Sequence, residues 1–215
     1  MPFIDPTEPD AHQKIGLRHN PFLALVAPRP IGWISSLDAA GVPNLAPFSF
    51  FNAVSSRPPV LVFSCSNDGP EGEKDTLRNV RETGEFVFNL ATWDLRLKMN
   101  ASSAPAPRGV DEFELAGLAK APSRKVRPPR VADSPVALEC TLLQVVELPV
   151  DGRSGRHSSA AFGRVVGIHI DERLIAAGRV DITRARPVAR LGYMDYAVVD
   201  AAFEIKRPTW PPEGE

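Results

Sequence analysis

The fold of this chain is decided by residues 28–52, PRPIGWISSLDAAGVPNLAPFSFFN. The apolar run 31–37 and the later run 44–54 are both typical of β-strands, and the intervening residues 38–41, DAAG, are typical of a turn. The sequence therefore predicts a β-hairpin that ends in a tight aromatic segment.

Small and hydroxyl-bearing residues lie beside aromatic residues throughout this hairpin, more often than a packing role requires. Small side chains let the backbone approach a flat ligand closely, and free N–H and C=O groups can then bind the edge of that ligand. The residues concerned are Ser35, Ser36, Ala46 and Ser49, beside Phe48, Phe50 and Phe51. The composition of the hairpin thus predicts a ligand-binding surface.

The overall composition is that of an ordinary globular protein. A chain of 215 residues with 43% hydrophobic and 24% charged residues fits one domain with a substantial core. The formal net charge of −1 gives no electrostatic case for binding nucleic acid or a membrane surface. No apolar run approaches the roughly 20 residues that span a bilayer.

Two further observations concern the compartment. The N-terminus lacks a basic region followed by an apolar stretch, so we expect no secretory signal. Cys65 and Cys140 each stand alone in a strand-like run, which favours buried free thiols over a disulfide. Together these observations predict a cytoplasmic protein.

The rest of the chain has the pattern of an antiparallel β protein, in which strand-like runs follow one another at hairpin spacing with few helices between them. The predicted strands are residues 22–27, 60–66, 85–91, 136–148 and 161–170, and segments 188–196 and 197–205 close the fold. No GxGxxG motif follows a strand and no P-loop is present, so a nucleotide would have to bind to a barrel.

Shorter segments complete this organisation. Helical turns are predicted at 94–102 and 111–117, a helical or loop insertion at 172–186, and a basic loop at 120–134 whose charges are typical of a solvated face. We expect an N-terminal arm over residues 1–20, one domain over 21–205 and a C-terminal tail over 206–215.

A short helix is predicted to begin at the Lys-Asp-Thr of residues 74–76. Asp75 or Thr76 is a credible N-cap, and Gly84 suits the left-handed residue that ends a helix. A helix N-terminus beside Lys74 and a threonine hydroxyl can hold a phosphate. The alternative is that Asp75 only caps the helix and Lys74 is solvated, and the local sequence alone favours this alternative.

Four separated motifs together resemble the flavin reductase-like family of FMN-binding split-barrel flavoproteins, over roughly residues 20–205. The motifs are APRPIGWISSLDAAGVPNLAPFSFFNAVSSRPPVLVFS (27–64), KDTLRNVRETGEFVFNL (74–90), FGRVVGIHID (162–171) and PVARLGYMDY (187–196). The resemblance implies a mainly β fold, a six-stranded antiparallel split β-barrel of Greek-key topology with a few short helices. It also implies a homodimer with FMN at the subunit interface.

The resemblance further implies roles for individual residues. The family's phosphate site corresponds to Ser35 and Ser36 together with Lys74, Asp75 and Thr76. The resemblance therefore favours a phosphate site at the start of the helix over simple capping. The edge of the isoalloxazine ring is assigned to Ala46, Pro47, Phe48, Ser49, Phe50 and Phe51. Arg29 and Trp33 are assigned to the same pocket, although a surface position for Arg29 is an equal alternative on sequence alone. Ser64 is assigned to the ribityl chain or the phosphate, and His157 to a contact with nicotinamide.

The hypothesis that follows is an NAD(P)H-dependent flavin reductase, which passes hydride from reduced nicotinamide to FMN and supplies reduced flavin to a partner oxygenase. A non-enzymatic FMN-binding electron-transfer protein is the alternative, and a barrel that has lost flavin is a third. His169 is expected to be structural, and no residues at metal-ligand spacing or in a nucleophile motif are present.

Overall fold

The computed structural model describes residues 1–67 and 72–210, and its main feature is a seven-stranded antiparallel sheet. In chain order the strands are β1 (Arg29–Pro30), β2 (Gly32–Leu37), β3 (Pro43–Phe48), β4 (Phe51–Ser56), β5 (Pro59–Ser66), β6 (Glu85–Leu90), β7 (Lys120–Ala121), β8 (Arg130–Val131), β9 (Val136–Glu147), β10 (Ser158–Ile170), β11 (Ile175–Ala176), β12 (Arg179–Val180), β13 (Val188–Arg190) and β14 (Tyr196–Val198).

The helices are few and short. They are α1 (Phe22–Leu25), α2 (Asp75–Thr83), α3 (Arg96–Ala101) and α4 (Glu112–Leu115), with 3-10 turns at Ala11–Ile15, Glu172–Leu174 and Ile182–Ala185. Within the described part of the chain, no helix combines the length and the apolar character needed to cross a membrane.

The main sheet curls into a barrel because its two edges are joined by only two residues. The strand order is β3-β2-β6-β9-β10-β5-β4, so β3 and β4 are the edge strands, and residues 49 and 50 connect them. Six strand spacings would put the edges about 29 Å apart in a flat sheet, whereas three Cα steps reach at most about 11 Å. The aromatic segment of the decisive stretch therefore closes the barrel.

Contacts across the barrel agree with this closure. The ring of Phe51 on β4 stacks on the ring of Phe88 on β6 with centroids 4.8 Å apart. A Cβ on Gly32 of β2 would lie 2.4 Å from the Phe51 ring, so β2 needs glycine where the edge strand folds over it. The fold class is thus confirmed as a split β-barrel, with seven strands in place of the six expected.

Two apolar cores share strand β2, which is buried on both faces. Ile34 points into the barrel interior, with Phe63 and Phe86. Its neighbour Trp33 points to the other face, where it packs with Phe113 of α4 and with residues around α3. The segment between β6 and β9 is therefore held against the outside of the barrel by a core of its own.

Several predicted elements are confirmed. The hairpin of β9 and β10, the strands β5 and β6 and the helix α2 lie where the pattern placed them. Gly84 ends α2 with a φ of 72°, in the left-handed region. Cys65 and Cys140 are buried and form no disulfide, and burial raises the pKa of the Cys140 thiol.

Three local predictions were wrong. Residues 22–27 are not a strand, because Asn20 accepts the N–H of Phe22 and the carbonyl of Pro21 starts the turn of α1. The run 44–54 is not one strand, since it divides into β3 and β4 at opposite sheet edges. The N-cap of α2 is Lys74, in extended conformation, and its side chain makes no capping hydrogen bond in the part of the chain that the structure describes.

The basic loop between β7 and β8 is fixed by one buried carboxylate. Glu139 of β9 accepts hydrogen bonds from the N–H groups of Arg124 (2.8 Å) and Val126 (3.1 Å), from the intervening N–H of Lys125 (2.5 Å), and from the ring of His169. Burial alone would raise the pKa of Glu139, but these hydrogen bonds outweigh burial and hold the pKa below its ordinary value. His169 is thus structural, as expected.

We expect Glu139→Gln to lower the free energy of unfolding at pH 7 by about 2 kcal/mol, because neutral glutamine accepts these bonds less strongly and adds a donor. The folded-state pKa of Glu139 is lowered, so its contribution is present above the unfolded pKa of about 4.3 and is lost as the pH falls through the folded pKa. Urea unfolding at pH 7 and at pH 3 measures the difference. Equal stabilities of the two proteins at pH 7 would refute the assignment, and exposed Glu172→Gln is the control.

Candidate functional site

A cavity of about 440 Å³ opens at the start of α2. Asn44 and Ala46 of β3 form one wall, and residues 73–76 form the end. The loop 103–108 and Glu112 of α4 cover the opposite side. The volume lies within the range of small-molecule and cofactor sites, roughly 300–1,000 Å³.

The start of α2, which lines this cavity, leaves two N–H groups without an acceptor inside the helix. The first intrahelical bonds run from Leu77 (3.0 Å) and Arg78 (3.1 Å) to the carbonyl of Lys74, so the N–H groups of Asp75 and Thr76 have no acceptor within the helix. The side chain of the N-cap residue Lys74 makes no capping hydrogen bond within the described residues. An uncapped helix start with its partial positive charge is suited to an anion.

The charges around the cavity leave one cation uncommitted. Arg108 donates to Asp75 at 2.8 Å and lies 3.9 Å from Glu82, and the bond to Asp75 raises the pKa of Arg108. Lys74 is exposed and has no ion-pair partner within residues 1–67 and 72–210. The Lys74 ammonium is therefore available for a negatively charged ligand.

Behind the cavity wall lies a buried chain of polar side chains. Thr76 donates its hydroxyl to Asn44 Oδ1 at 2.7 Å, and Asn44 Nδ2 donates to Glu112 Oε2 at 3.0 Å. Ser36 also donates to Asn44 Oδ1 at 3.3 Å, and Asn79 Nδ2 donates to Ser36 at 3.2 Å. These hydrogen bonds join β2, β3, α2 and α4 at the end of the cavity where α2 begins.

Comparison with known proteins assigns this architecture to a family. The model of the flavin reductase like domain matches residues 25–193. The chain belongs to the flavin reductase-like family. The resemblance predicted from the four separated motifs is thereby confirmed.

Whole-chain relatives agree with the family assignment. An uncharacterized protein of Aquifex aeolicus is 41% identical over 184 residues, which cover 86% of this chain and 91% of that relative. The structure of nitrilotriacetate monooxygenase component B from Bacillus cereus superposes with a TM-score of 0.84 at 31% identity, covering 95% of this chain and 98% of that one. The 2-nitrobenzoate 2-nitroreductase of Pseudomonas fluorescens superposes over 100% of both chains, with a TM-score of 0.79 at 29% identity.

In this flavin reductase-like protein, four of the predicted cofactor residues meet at one cavity. Ala46, Lys74, Asp75 and Thr76 all line it. Ser36 lies one layer behind the wall, where it contacts the cavity only through Asn44. The hairpin and the helix start, which are separated in the sequence, are thus on the same side of the molecule.

Three predicted residues are buried and bind partners away from the cavity. Arg29 binds the carbonyls of Leu23, Val26 and Leu191, which joins the N-terminal segment to the end of the chain. Trp33 and Ser35 are fully buried. The Trp33 indole donates to Ser102 at 2.9 Å, and the Ser35 hydroxyl donates to the carbonyl of Pro129 at 2.6 Å. The structure does not bring these side chains to the cavity, and their contacts with FMN stay a prediction.

The aromatic segment has mixed surroundings. Phe48 is buried in the barrel against Phe63, with ring centroids 5.2 Å apart, whereas Phe50 is exposed. Ser64 donates its N–H to the carbonyl of Phe50 at 2.8 Å. Pro47, Ser49 and Phe51 are partly buried, and none of the segment beyond Ala46 lines the cavity.

His157 lies just before β10, between Asn67 and Glu147. Its Nε2 is 3.2 Å from Glu147 Oε2. The residue is not part of the cavity wall, and its contact with nicotinamide stays a prediction. No group of three or more potential metal ligands occurs in the part of the chain that the structure describes.

Nine of the thirteen described residues that line the cavity were not predicted as site residues, among them Asn44, Arg108 and Glu112. Asn44 was assigned only to a strand and Glu112 only to a helical turn, and Arg108 lies between two predicted helical turns. Glu112 meets Asn44 across 68 positions in the chain, and no local pattern indicates that contact. The available signal was local: Asp111 accepts the N–H of Phe113 and so starts α4.

Proposed function

We propose that this flavin reductase-like protein binds FMN and transfers hydride from NADH or NADPH to flavin. Membership of the family supports the broader class of flavin-binding oxidoreductase. The proposal goes further in naming FMN as the cofactor and a reduced nicotinamide as the co-substrate.

One observation carries the proposal: an uncapped helix start and an uncommitted lysine meet at the end of a cavity of cofactor size. An FMN phosphate is a dianion near neutral pH, and it matches the N–H groups of Asp75 and Thr76 together with the Lys74 ammonium. The residues present therefore fit the phosphate end of FMN.

The chemistry of the reaction would come from the cofactor, since bound FMN supplies a ring that accepts hydride at N5. The part of this chain is to bind and orient. Lys74 and the start of α2 hold the phosphate, and the small side chain of Ala46 leaves room at the wall of the cavity. No side chain of the chain has to act as a general acid in such a reaction.

A homodimer with FMN at the subunit interface belongs to the same proposal. Exposed apolar side chains on β9 and β10 support it, since Leu143, Val146, Ile168 and Ile170 all lie at the surface of this single chain. Burying such a surface stabilises an interface by about 25 cal/mol per Å².

We also propose a partner oxygenase that consumes the reduced flavin, and a cytoplasmic location. The likeness to a protein named as component B of a monooxygenase supports the first part. The two buried cysteines, which form no disulfide, support the second part.

We expect the purified protein to oxidise NADH or NADPH when FMN is added, because a bound flavin beside a bound nicotinamide transfers hydride readily. The fall in absorbance at 340 nm measures this rate, and protein without added flavin is the control. Tight FMN binding without turnover of either nicotinamide would contradict the reductase and leave the electron-transfer alternative.

A further inference from the structure

The cavity wall contains a buried carboxylate that accepts two hydrogen bonds. Glu112 is 7% exposed, and its Oε2 accepts from Asn44 Nδ2 at 3.0 Å and from the N–H of Leu45 at 2.9 Å. An ionised carboxylate accepts both bonds and offers no hydrogen in return. In this arrangement Asn44 must turn its amide oxygen towards Thr76.

Hydrogen counting shows a conflict between this arrangement and the proposed phosphate site. A threonine hydroxyl has one hydrogen, and Thr76 donates it to Asn44 Oδ1 at 2.7 Å. A phosphate oxygen only accepts. While Glu112 is ionised, the Thr76 hydroxyl can donate to a phosphate at the start of α2 only by giving up its bond to Asn44 Oδ1, which then keeps the weaker donor Ser36 at 3.3 Å.

We propose, on the basis of the proposed FMN site, that Glu112 takes up one proton from solvent when a phosphate group binds at the start of α2. The new carboxyl O–H donates to Asn44 Oδ1, so the amide of Asn44 reverses. Asn44 Nδ2 then donates to Thr76, and the Thr76 hydroxyl hydrogen is released to the phosphate. Glu112 and Asn44 are thus positioning residues for the phosphate end of the cofactor.

The reversed arrangement leaves one buried group without a partner among the described residues, as before, because Asn79 Nδ2 takes the place of Asn79 Oδ1. Glu112 keeps the N–H of Leu45 on a lone pair of the protonated oxygen. The Ser36 hydroxyl loses Asn44 Oδ1 as its acceptor. When the Asn79 amide also turns, the Ser36 hydroxyl gains a new acceptor in Asn79 Oδ1. In the present structure that oxygen is buried and has no partner within the described residues.

The charges that face Glu112 make proton uptake favourable. Burial raises the pKa of Glu112 above its ordinary value, and the charge of Asp75 raises it further, against the bonds from Leu45 and Asn44.

Lys74 and Glu73 also line the cavity, while Arg108 is paired with Asp75. On the Glu112 side, Lys120 pairs with Asp111 and lies near Glu114. A phosphate dianion adds negative charge to this cavity and pushes the pKa of Glu112 higher.

Calorimetric titration of the full chain with FMN, in two buffers of different ionisation enthalpy at pH 8, measures the protons taken up. We expect net uptake of up to one proton per FMN, and none for riboflavin, which lacks the phosphate. Between pH 7 and pH 9 the FMN affinity should fall by up to about tenfold per pH unit, since uptake near one proton gives that slope.

Glu112→Gln distinguishes protonation of the Glu112 carboxyl from binding of the phosphate itself. Glutamine has an N–H donor where the protonated carboxyl has its O–H, and it does not titrate. This variant should bind FMN at least as tightly as the parent at pH 8, with no proton uptake. Exposed Glu114→Gln, two residues away, should keep the uptake of the parent.

The outcomes are distinct. FMN binding by the parent without proton uptake would overturn the role of Glu112 alone and leave the FMN site standing. Uptake that persists in Glu112→Gln would overturn it as well. If the parent binds no FMN at any pH, the proposed function fails and this inference fails with it.

Discussion

Replacing Lys74 and Thr76 together by alanine is expected to weaken FMN binding by more than about 2 kcal/mol, because each charge-assisted contact to a phosphate contributes roughly 1.5–3 kcal/mol. The double variant removes the only uncommitted ammonium at the described part of the cavity and the hydroxyl that the Glu112 network regulates. Riboflavin has the same ring and ribityl chain without the phosphate. Its affinity should change little.

Fluorescence titration with FMN and with riboflavin measures both affinities in one design. Lys125→Ala removes an exposed lysine of the basic loop and is the matched control for the loss of charge. An equal loss of affinity for both ligands would mean that the double variant damages the cavity in general. Unchanged FMN affinity would mean that the phosphate binds elsewhere.

Gly163→Ala is expected to lower the free energy of unfolding by about 3 kcal/mol, because overpacking a dense core forces side chains out of their rotamers. A Cβ at position 163 would lie 2.2 Å from Cζ of Phe86 and 3.2 Å from Cβ of Cys140. Phe86 is fully buried and meets Phe63 edge to face at 5.3 Å, so its ring has no free space to enter.

Urea unfolding measures the loss, and Gly152→Ala is the matched control. Position 152 lies in the turn between β9 and β10, and a Cβ there meets no atom within 4 Å. A chain of this size loses roughly 2–4 °C of Tm per kcal/mol, so the core variant should melt roughly 10 °C lower. Equal stability of the two glycine variants would show that the barrel interior is looser than the packing here indicates.

Much of the fold follows from local pattern, because hairpins and short helices are specified by nearby residues. The alternation in β9 and β10 and the glycine that ends α2 are of this kind. The division of the run 44–54 between two sheet edges is not specified by nearby residues, since it depends on the closure of the whole barrel. The exposed helical turn of α1 was missed because an apolar run of six residues has no decisive period.

Some residues of the site also follow from local sequence, whereas others depend on tertiary packing. Lys74 and Thr76 follow from the Lys-Asp-Thr signal of a helix start, although the resemblance to a family was needed to favour a phosphate over simple capping. Asn44 and Glu112 become partners only through tertiary packing of α4 on β3. Trp33 and Ser35 show the converse, since residues in a ligand-like stretch face the helical core and the basic loop.

The central claim is that the hairpin strand β3 and the uncapped start of α2 form one nucleotide-binding cavity. A crystal structure of the protein soaked with FMN tests it most directly. The account predicts the FMN phosphate within about 3.2 Å of the N–H groups of Asp75 and Thr76 and of the Lys74 ammonium. An FMN phosphate bound away from α2, with the cavity between α2 and β3 free of ligand, would contradict it.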